Sequence, residues 1–288
     1  MKKKPLFLFP VLLLISFLIA PMSHAASVGN PEVLGGLGKV AVGVEYDDSS
    51  RDLEFKNGRQ TASWPGGSAS ESFPAPGNNI TNMKLDTQSE FLVATVGLHE
   101  KVDVFAGIGV NRAKLDYTLN YTGGHENSEI SDNSNTAWKM GVRIHLAEVA
   151  GVRLGGMIAY SAFDMNGAYK IDGSDLGSLL PPNGSYSTET KIHEWQGAVT
   201  ASTHVWRLSP YAGVTYAKVK VENRTDIRIP SMMEDLPVSL HVEANAEQKN
   251  TTGVVVGTGV EIMSHLNANI EGRFINEDAV TASLSYTF

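Results

Sequence analysis

Proton-exchanging side chains sit side by side at two points of this sequence, His193-Glu194 and Asp47-Asp48. Such pairs can do general acid–base work when both members reach one site. Adjacent residues of an extended strand point to opposite faces, so neither pair serves one site if its segment is a strand. No His-x-Ser with an acid nearby stands at a strand end, as an ester-cleaving nucleophile would need. Asp172-Gly173-Ser174-Asp175 and Ser131-Asp132-Asn133 offer oxygens to Ca²⁺, but neither continues into the ligand ladder of a twelve-residue calcium loop. The chain has no cysteine, which excludes thiolate metal sites, iron–sulfur clusters, disulfides and cysteine nucleophiles. No cofactor site and no catalytic constellation is expected.

A second set of charges recurs with regular spacing. Lys139, Arg143, His145, Arg153, Glu194, Glu261, Glu271 and Arg273 each occupy the polar face of a segment whose other face is apolar. Isolated charges on an enclosed face are costly, so they must pair or stay hydrated. Arg143 and Arg153 flank a short turn and repel each other unless acids reach them. Glu261 and Glu271 are the expected partners. Close pairing would plug a lumen, whereas separation would leave a hydrated constriction with a positive stripe.

The segments that carry these charges alternate strictly. Val40, Val42, Val44 and Tyr46 interleave with Lys39, Ala41, Gly43 and Glu45. Trp138, Met140, Val142, Ile144 and Leu146 interleave with Lys139, Gly141, Arg143 and His145. Period two over this length is a strand with one apolar and one polar face. Ten such strands are expected, near 38–46, 87–98, 102–116, 136–146, 151–163, 191–205, 208–222, 249–262, 266–274 and 279–288, within a range of eight to twelve. Phe91 and Val93 blur the second. In the seventh the phase slips at Lys218-Val219, which predicts a bulge. Inward glycines, Gly141 and Gly257 among them, would let strands coil or leave a watery passage.

Connections alternate in length. Those at 47–86, 117–135, 164–190 and 223–248 are long and acidic, with a brief fifth at 275–278. Those at the other end are short. This is the pattern of an all-β, closed, antiparallel up-and-down transmembrane barrel with external loops. Tyr46, Trp138, Tyr160, Trp195, Tyr216 and Phe274 stand on apolar faces at the long-connection end, as an interfacial girdle would.

The first 25 residues read as a secretory signal peptide. Lys2, Lys3 and Lys4 precede an apolar run from Leu6 to Ala20, and Ser23-His24-Ala25 predicts cleavage before Ala26. Residues 26–288 form one barrel domain. The last strand carries Val280, Ala282, Leu284, Tyr286 and a terminal Phe288. In this the chain resembles the bacterial outer-membrane β-barrel proteins, of the broad group around outer-membrane protein A. The resemblance implies a Gram-negative outer-membrane location, with Tyr286 and Phe288 as the signal read by the barrel-assembly machinery. It implies contact with outer-membrane lipid and lipopolysaccharide. No peptidoglycan-binding domain follows the barrel, so that activity is not implied. An omptin-like protease would need an Asp–His couple besides paired aspartates, and no Asp-x-His accompanies Asp47-Asp48.

A formal net charge of −8 argues against nucleic acid as a partner. The expected role is structural or surface-interacting, with acidic external loops meeting an unknown extracellular ligand. A narrow porin-like channel for small solutes is the alternative, and an outer-membrane lipid or peptide hydrolase the second.

Overall fold

The computed structural model describes residues 30–74, 78–230 and 238–288. The segment 1–25, expected to be a signal peptide, lies outside them. In chain order the elements are β1 (Val40–Trp64), β2 (Gly67–Ser72), β3 (Asn79–His99), β4 (Val102–Tyr121), β5 (Gly124–Val149), β6 (Val152–Met165), β7 (Ala168–Ile171), β8 (Ser174–Asp175), α1 (Leu176–Leu179), β9 (Ser185–Thr203), β10 (Leu208–Ile229), β11 (Val238–Gln248), β12 (Thr252–Met263), β13 (Leu266–Phe274) and β14 (Asp278–Thr287). Ten of them close an antiparallel ring in the order β1, β3, β4, β5, β6, β9, β10, β12, β13, β14 and back to β1. The seam between β14 and β1 pairs Ala41 with Thr287 through Ser50 with Asp278. Within this ring no strand has an open edge, so backbone donors and acceptors can pair without water, while β2 and β8 lie off the ring and pair only with β1 and β7.

The strands are far longer than a bilayer requires. β1 has 25 residues and β5 has 26, whereas about 9–11 cross a membrane. Most of the segments expected as long loops are therefore strand. β1 continues to Trp64, β3 starts at Asn79, and Gly124 to Asn135 belongs to β5. Only β12, β13 and β14 stop at crossing length, with 12, 9 and 10 residues. Above them β11 takes their place. It pairs with β1 from Leu53–Gln248 to Ser63–Ser239, and with β10 from Lys220–Glu247 to Ile229–Val238. One strand replaces three, and the ring narrows. A barrel of roughly eight strands is small enough for side chains to fill.

Along each long strand the two faces exchange polarity. The outward face of β1 reads Val42, Val44 and Tyr46, then Asp48, Asp52 and Glu54; its inward face reads Ala41, Glu45, Asp47 and Arg51, then Leu53. On β10, Val214 and Tyr216 are exposed and are followed outward by Lys218 and Lys220, while Val219 and Val221 are buried. The apparent phase slip at Lys218-Val219 is thus no bulge. The β9–β10 ladder runs unbroken from Tyr211–Ser202 to Arg228–Ser185. Side chains keep their faces, and the surroundings change from lipid outside to water outside. Register does shift elsewhere, at Asn111/Ala113 and His145/Ala147 for example.

The extension is filled like a soluble core. Leu85, Leu115, Ile130, Met165, Ile192, Val219 and Val221 are each at most 2% exposed. Below it, Val142 lies opposite Ile158 on the outer face, and Ile158 is 59% exposed.

Ile158→Arg places an unpartnered charge against lipid and should cost about 2–4 kcal/mol. Leu115→Ala, in the extension, should cost about 2–5 kcal/mol through lost burial and a cavity. Urea unfolding in phospholipid vesicles measures both, and a neutral Ile158→Arg would invert the faces assigned here. The β11 junction has its own signature. His241 Nδ1 lies 2.7 Å from Asp226 Oδ1 and Nε2 3.2 Å from Glu243 Oε1. The Asp226 hydrogen bond raises the His241 pKa. A raised histidine pKa contributes stability that is complete below the unfolded value of about 6.5 and is lost as pH rises through the folded one. Amide exchange in the β10–β11 ladder, corrected for intrinsic rate, should therefore quicken above that window. In Asp226→Asn this pH dependence should be largely lost.

Candidate functional site

The widest part of the barrel encloses charge. Arg273, on β13, is fully buried and holds three carboxylates: Asp47 Oδ1 at 2.6 Å, Glu271 Oε1 at 2.9 Å and Glu277 Oε1 at 2.7 Å. It also donates to Thr281 Oγ1 at 2.6 Å. Glu277 reaches on to Arg51 at 2.6 Å, and Arg51 meets Glu194 at 2.6 Å. Arg51 is on β1 and Glu194 on β9, strands on opposite sides of the ring, so this chain of ion pairs crosses the lumen. Lys139 on β5 pairs with Glu45 on β1 at 2.5 Å. The Tyr211 hydroxyl donates to Glu271 Oε2 at 2.8 Å and accepts from Asn269 at 2.9 Å.

Small residues make this packing possible. A side chain at Gly257 would collide with the Tyr211 ring, and one at Gly253 with the Asn276 amide. At Gly141 the space belongs to Phe105. These lumen glycines are occupied by neighbours rather than left as a passage. The β13–β14 turn, expected among the external loops, is tucked inward instead: Asn276 and Glu277 are buried, and Gln248 of β11 donates to the Asn276 carbonyl at 2.7 Å. Beside Glu45, Lys139, Glu194 and Arg273 the remaining cavity is about 40 Å³.

At the short-turn end the N-terminal segment before β1 enters the barrel. Its Glu32 carbonyl accepts from Arg143 at 3.0 Å, and its Glu32 carboxylate lies 3.3 Å from Arg153. The Leu34 amide donates to Asp103 at 2.8 Å, and Pro31 sits over Gly155. A cavity of about 250 Å³ remains here, lined by Arg143, Arg153, His204, Ser209 and Asn269 among others.

The charges expected in the lumen are thus brought together with different partners. Lys139 takes Glu45, and Arg143 and Arg153 take Glu32, where Glu261 and Glu271 were expected. Glu271 takes Arg273, while Glu261 is exposed at the rim and His145 is half-buried on β5. Arg51 and Glu277 were hidden in segments read as loops. The signal for Arg51 was present, since the inward phase of β1 runs on through 45, 47, 49 and 51.

Tyr46, Trp138, Tyr160, Trp195, Tyr216 and Phe274 all face outward. Tyr160 packs between Trp138 and Trp195, with ring centroids 5.3 and 4.9 Å away. The outward residue that follows each of Tyr46, Trp195 and Tyr216 on the way to the extension is Asp48, His193 and Lys218. At the opposite end Tyr286 and Phe288 meet edge to face at 5.0 Å, and the Phe288 amide donates to the Val40 carbonyl at 2.8 Å.

The adjacent acid–base pairs are split by the pleat. Glu194 binds Arg51 inside, while His193 meets the Tyr160 hydroxyl outside at 2.7 Å. Asp47 holds Arg273, whereas Asp48 accepts from Tyr46. Asp175 accepts from the Gly177 amide at the start of α1, Asp172 from the Asn127 amide and Asp132 from the Asn166 amide. Among the described residues no group of three metal-ligating side chains occurs.

Arg273→Met should remove the shared partner of three buried acids, and losing one side of a buried pair costs about 3–5 kcal/mol. Arg273→Met combined with Asp47→Asn and Glu271→Gln should recover part of that loss. Unfolding midpoints in vesicles provide the comparison; equal stability of the single and triple variants would show that the ion pairs contribute nothing.

No protein-family model matches the chain, and no curated protein matches it. Among solved structures it is similar to the outer membrane protein OprG from Pseudomonas aeruginosa, at 11% identity and a TM-score of 0.39 over 88% of this chain and 96% of that one. It is similar to the outer membrane protease OmpT from Escherichia coli, at 12% identity and a TM-score of 0.43 over 91% of this chain and all (100%) of that one. A third likeness is to the COG4313 outer membrane channel from Pseudomonas putida F1, at 9% identity and a TM-score of 0.41 over 92% and 100% of the two chains.

Proposed function

We propose that this chain is an integral protein of a bacterial outer membrane, with a shut lumen and a structural or surface-interacting role. The ion-pair chain from Arg273 through Glu277 and Arg51 to Glu194 carries this reading. It ties opposite walls together at the level where the ring is widest, and the apolar core of the extension lies above it. An apolar outer belt of Val142, Ile158, Val199, Val214 and Ile270 fits lipid. The chain's hydrophobic and charged faces are those of a barrel in hydrocarbon with its tall end in water.

In this reading the extension projects from the cell and presents an acidic, strand-built surface to an extracellular ligand. Glu45, Asp47, Glu194, Glu271 and Glu277 act in structure rather than turnover, because each contacts a cation. Lipid and lipopolysaccharide surround the belt. Tyr286 and Phe288 direct assembly.

Purified protein in planar bilayers should show no steady conductance; steady channels in the native protein would overturn the shut lumen. On intact cells, a cysteine introduced at Ser70 or Ser178 should react with an impermeant maleimide. One at Glu148 should react only after the outer membrane is permeabilised. The reverse pattern would contradict the orientation.

A further inference from the structure

The extension contains a cavity of about 160 Å³ above the ion-pair layer. Its largely apolar wall includes Leu115, Ile130, Val221 and Leu240, and Glu126 and Asn223 are among the polar residues that also reach it. Leu176 of α1, otherwise on a polar surface segment, is buried against it. The side chains beneath are tightly packed, with Leu115 and Val221 at 2% and 1% exposure. A packed interior seldom keeps a void much larger than a water. Water is a poor occupant of an apolar void, since it needs two to four polar partners, and a cavity of about 150 Å³ lined by aliphatic side chains stays dry and takes up benzene.

Two tyrosines of the lining are joined by their hydroxyls. The Tyr117 and Tyr169 hydroxyls lie 2.8 Å apart, and Ser128 is 3.3 Å from Tyr169. Two hydroxyls that bond each other retain acceptor capacity for one further donor. Apolar walls with a few placed polar groups are the make-up of a small-molecule site.

We infer that this cavity is a binding site for a compact single-ring aromatic molecule, with the Tyr117–Tyr169 pair accepting one ligand hydroxyl. The ligand is held within the β11-closed extension, outside the membrane. The site stands whether or not the lumen below conducts.

The test uses the full chain in lipid nanodiscs, with fluorobenzene and 4-fluorophenol as probes followed by ¹⁹F NMR. Partition into lipid is common to every variant and is subtracted as the linear component. Wild type should bind one equivalent of each saturably. Ala244 of β11 also lines the cavity; Ala244→Phe fills it and should weaken both at least tenfold while keeping the heat-modifiable mobility of the folded barrel. Tyr169→Phe should keep fluorobenzene affinity within about twofold and lose the preference for the phenol. Crystals under xenon pressure give a measurement that needs no variant, with a site expected between Leu115, Val221 and Leu240. Absence of a saturable component in wild type overturns the inference, as does unchanged binding by folded Ala244→Phe. Xenon confined to the lipid face overturns it as well.

Discussion

A strand that stays in its ladder cannot rotate its side chains from one face to the other, because successive residues alternate strictly. In this protein the β9–β10 ladder runs unbroken through the level where the outer surroundings pass from hydrocarbon to water. Inside and outside are therefore fixed for the whole strand by the part that faces lipid. The residue types must exchange instead. On β10 the outward Val214 and Tyr216 give way to Lys218 and Lys220, and the inward Thr215 gives way to Val219 and Val221. The molecule is a membrane barrel with a polar interior that continues, on the same strands, as a soluble barrel with an apolar one.

That inversion works only if the ring narrows. Ten strands enclose more space than aliphatic side chains readily fill, whereas about eight enclose enough for a packed core. Stopping β12, β13 and β14 at crossing length and inserting β11 between β10 and β1 achieves the change. The step leaves a shelf where the β13–β14 turn meets the underside of β11. Asn276 and Glu277 are buried there, held by Gln248 and by the two arginines.

Most of the buried charges cluster beneath this shelf, and Asp103 and Arg143 lie at the short-turn end instead. Five carboxylates (Glu45, Asp47, Glu194, Glu271 and Glu277) face Arg51, Lys139 and Arg273. Their desolvation is offset by short contacts and by hydroxyl and amide donors such as Tyr211 and Gln196. Such networks are weak evidence for stability and better evidence for a single arrangement. Here the arrangement joins β1, β9 and β13, strands far apart in sequence, so it specifies how the walls of the wide ring meet.

The sequence by itself determined the class of structure. Alternation in Val40–Tyr46 and Trp138–Leu146, short turns at one end and the absence of a long apolar run after residue 25 make a closed barrel the solution that satisfies backbone groups in lipid. It also placed Lys139, Arg143, Arg153, Glu194, Glu271 and Arg273 on inward faces, because a period of two is a local property. Only the tertiary structure decided which of these charges meet. Pairing across a lumen depends on ring order and strand stagger, and Glu32, which answers Arg143 and Arg153, lies in a segment with no periodicity at all. The extension was illegible for a related reason. Its strands carry apolar residues on the opposite face from the membrane part, so a reading that tracks one polar face sees the pattern end at the boundary. The polar runs at 47–86 and 223–248 then look like loops, and the ladder shows them to be largely strand.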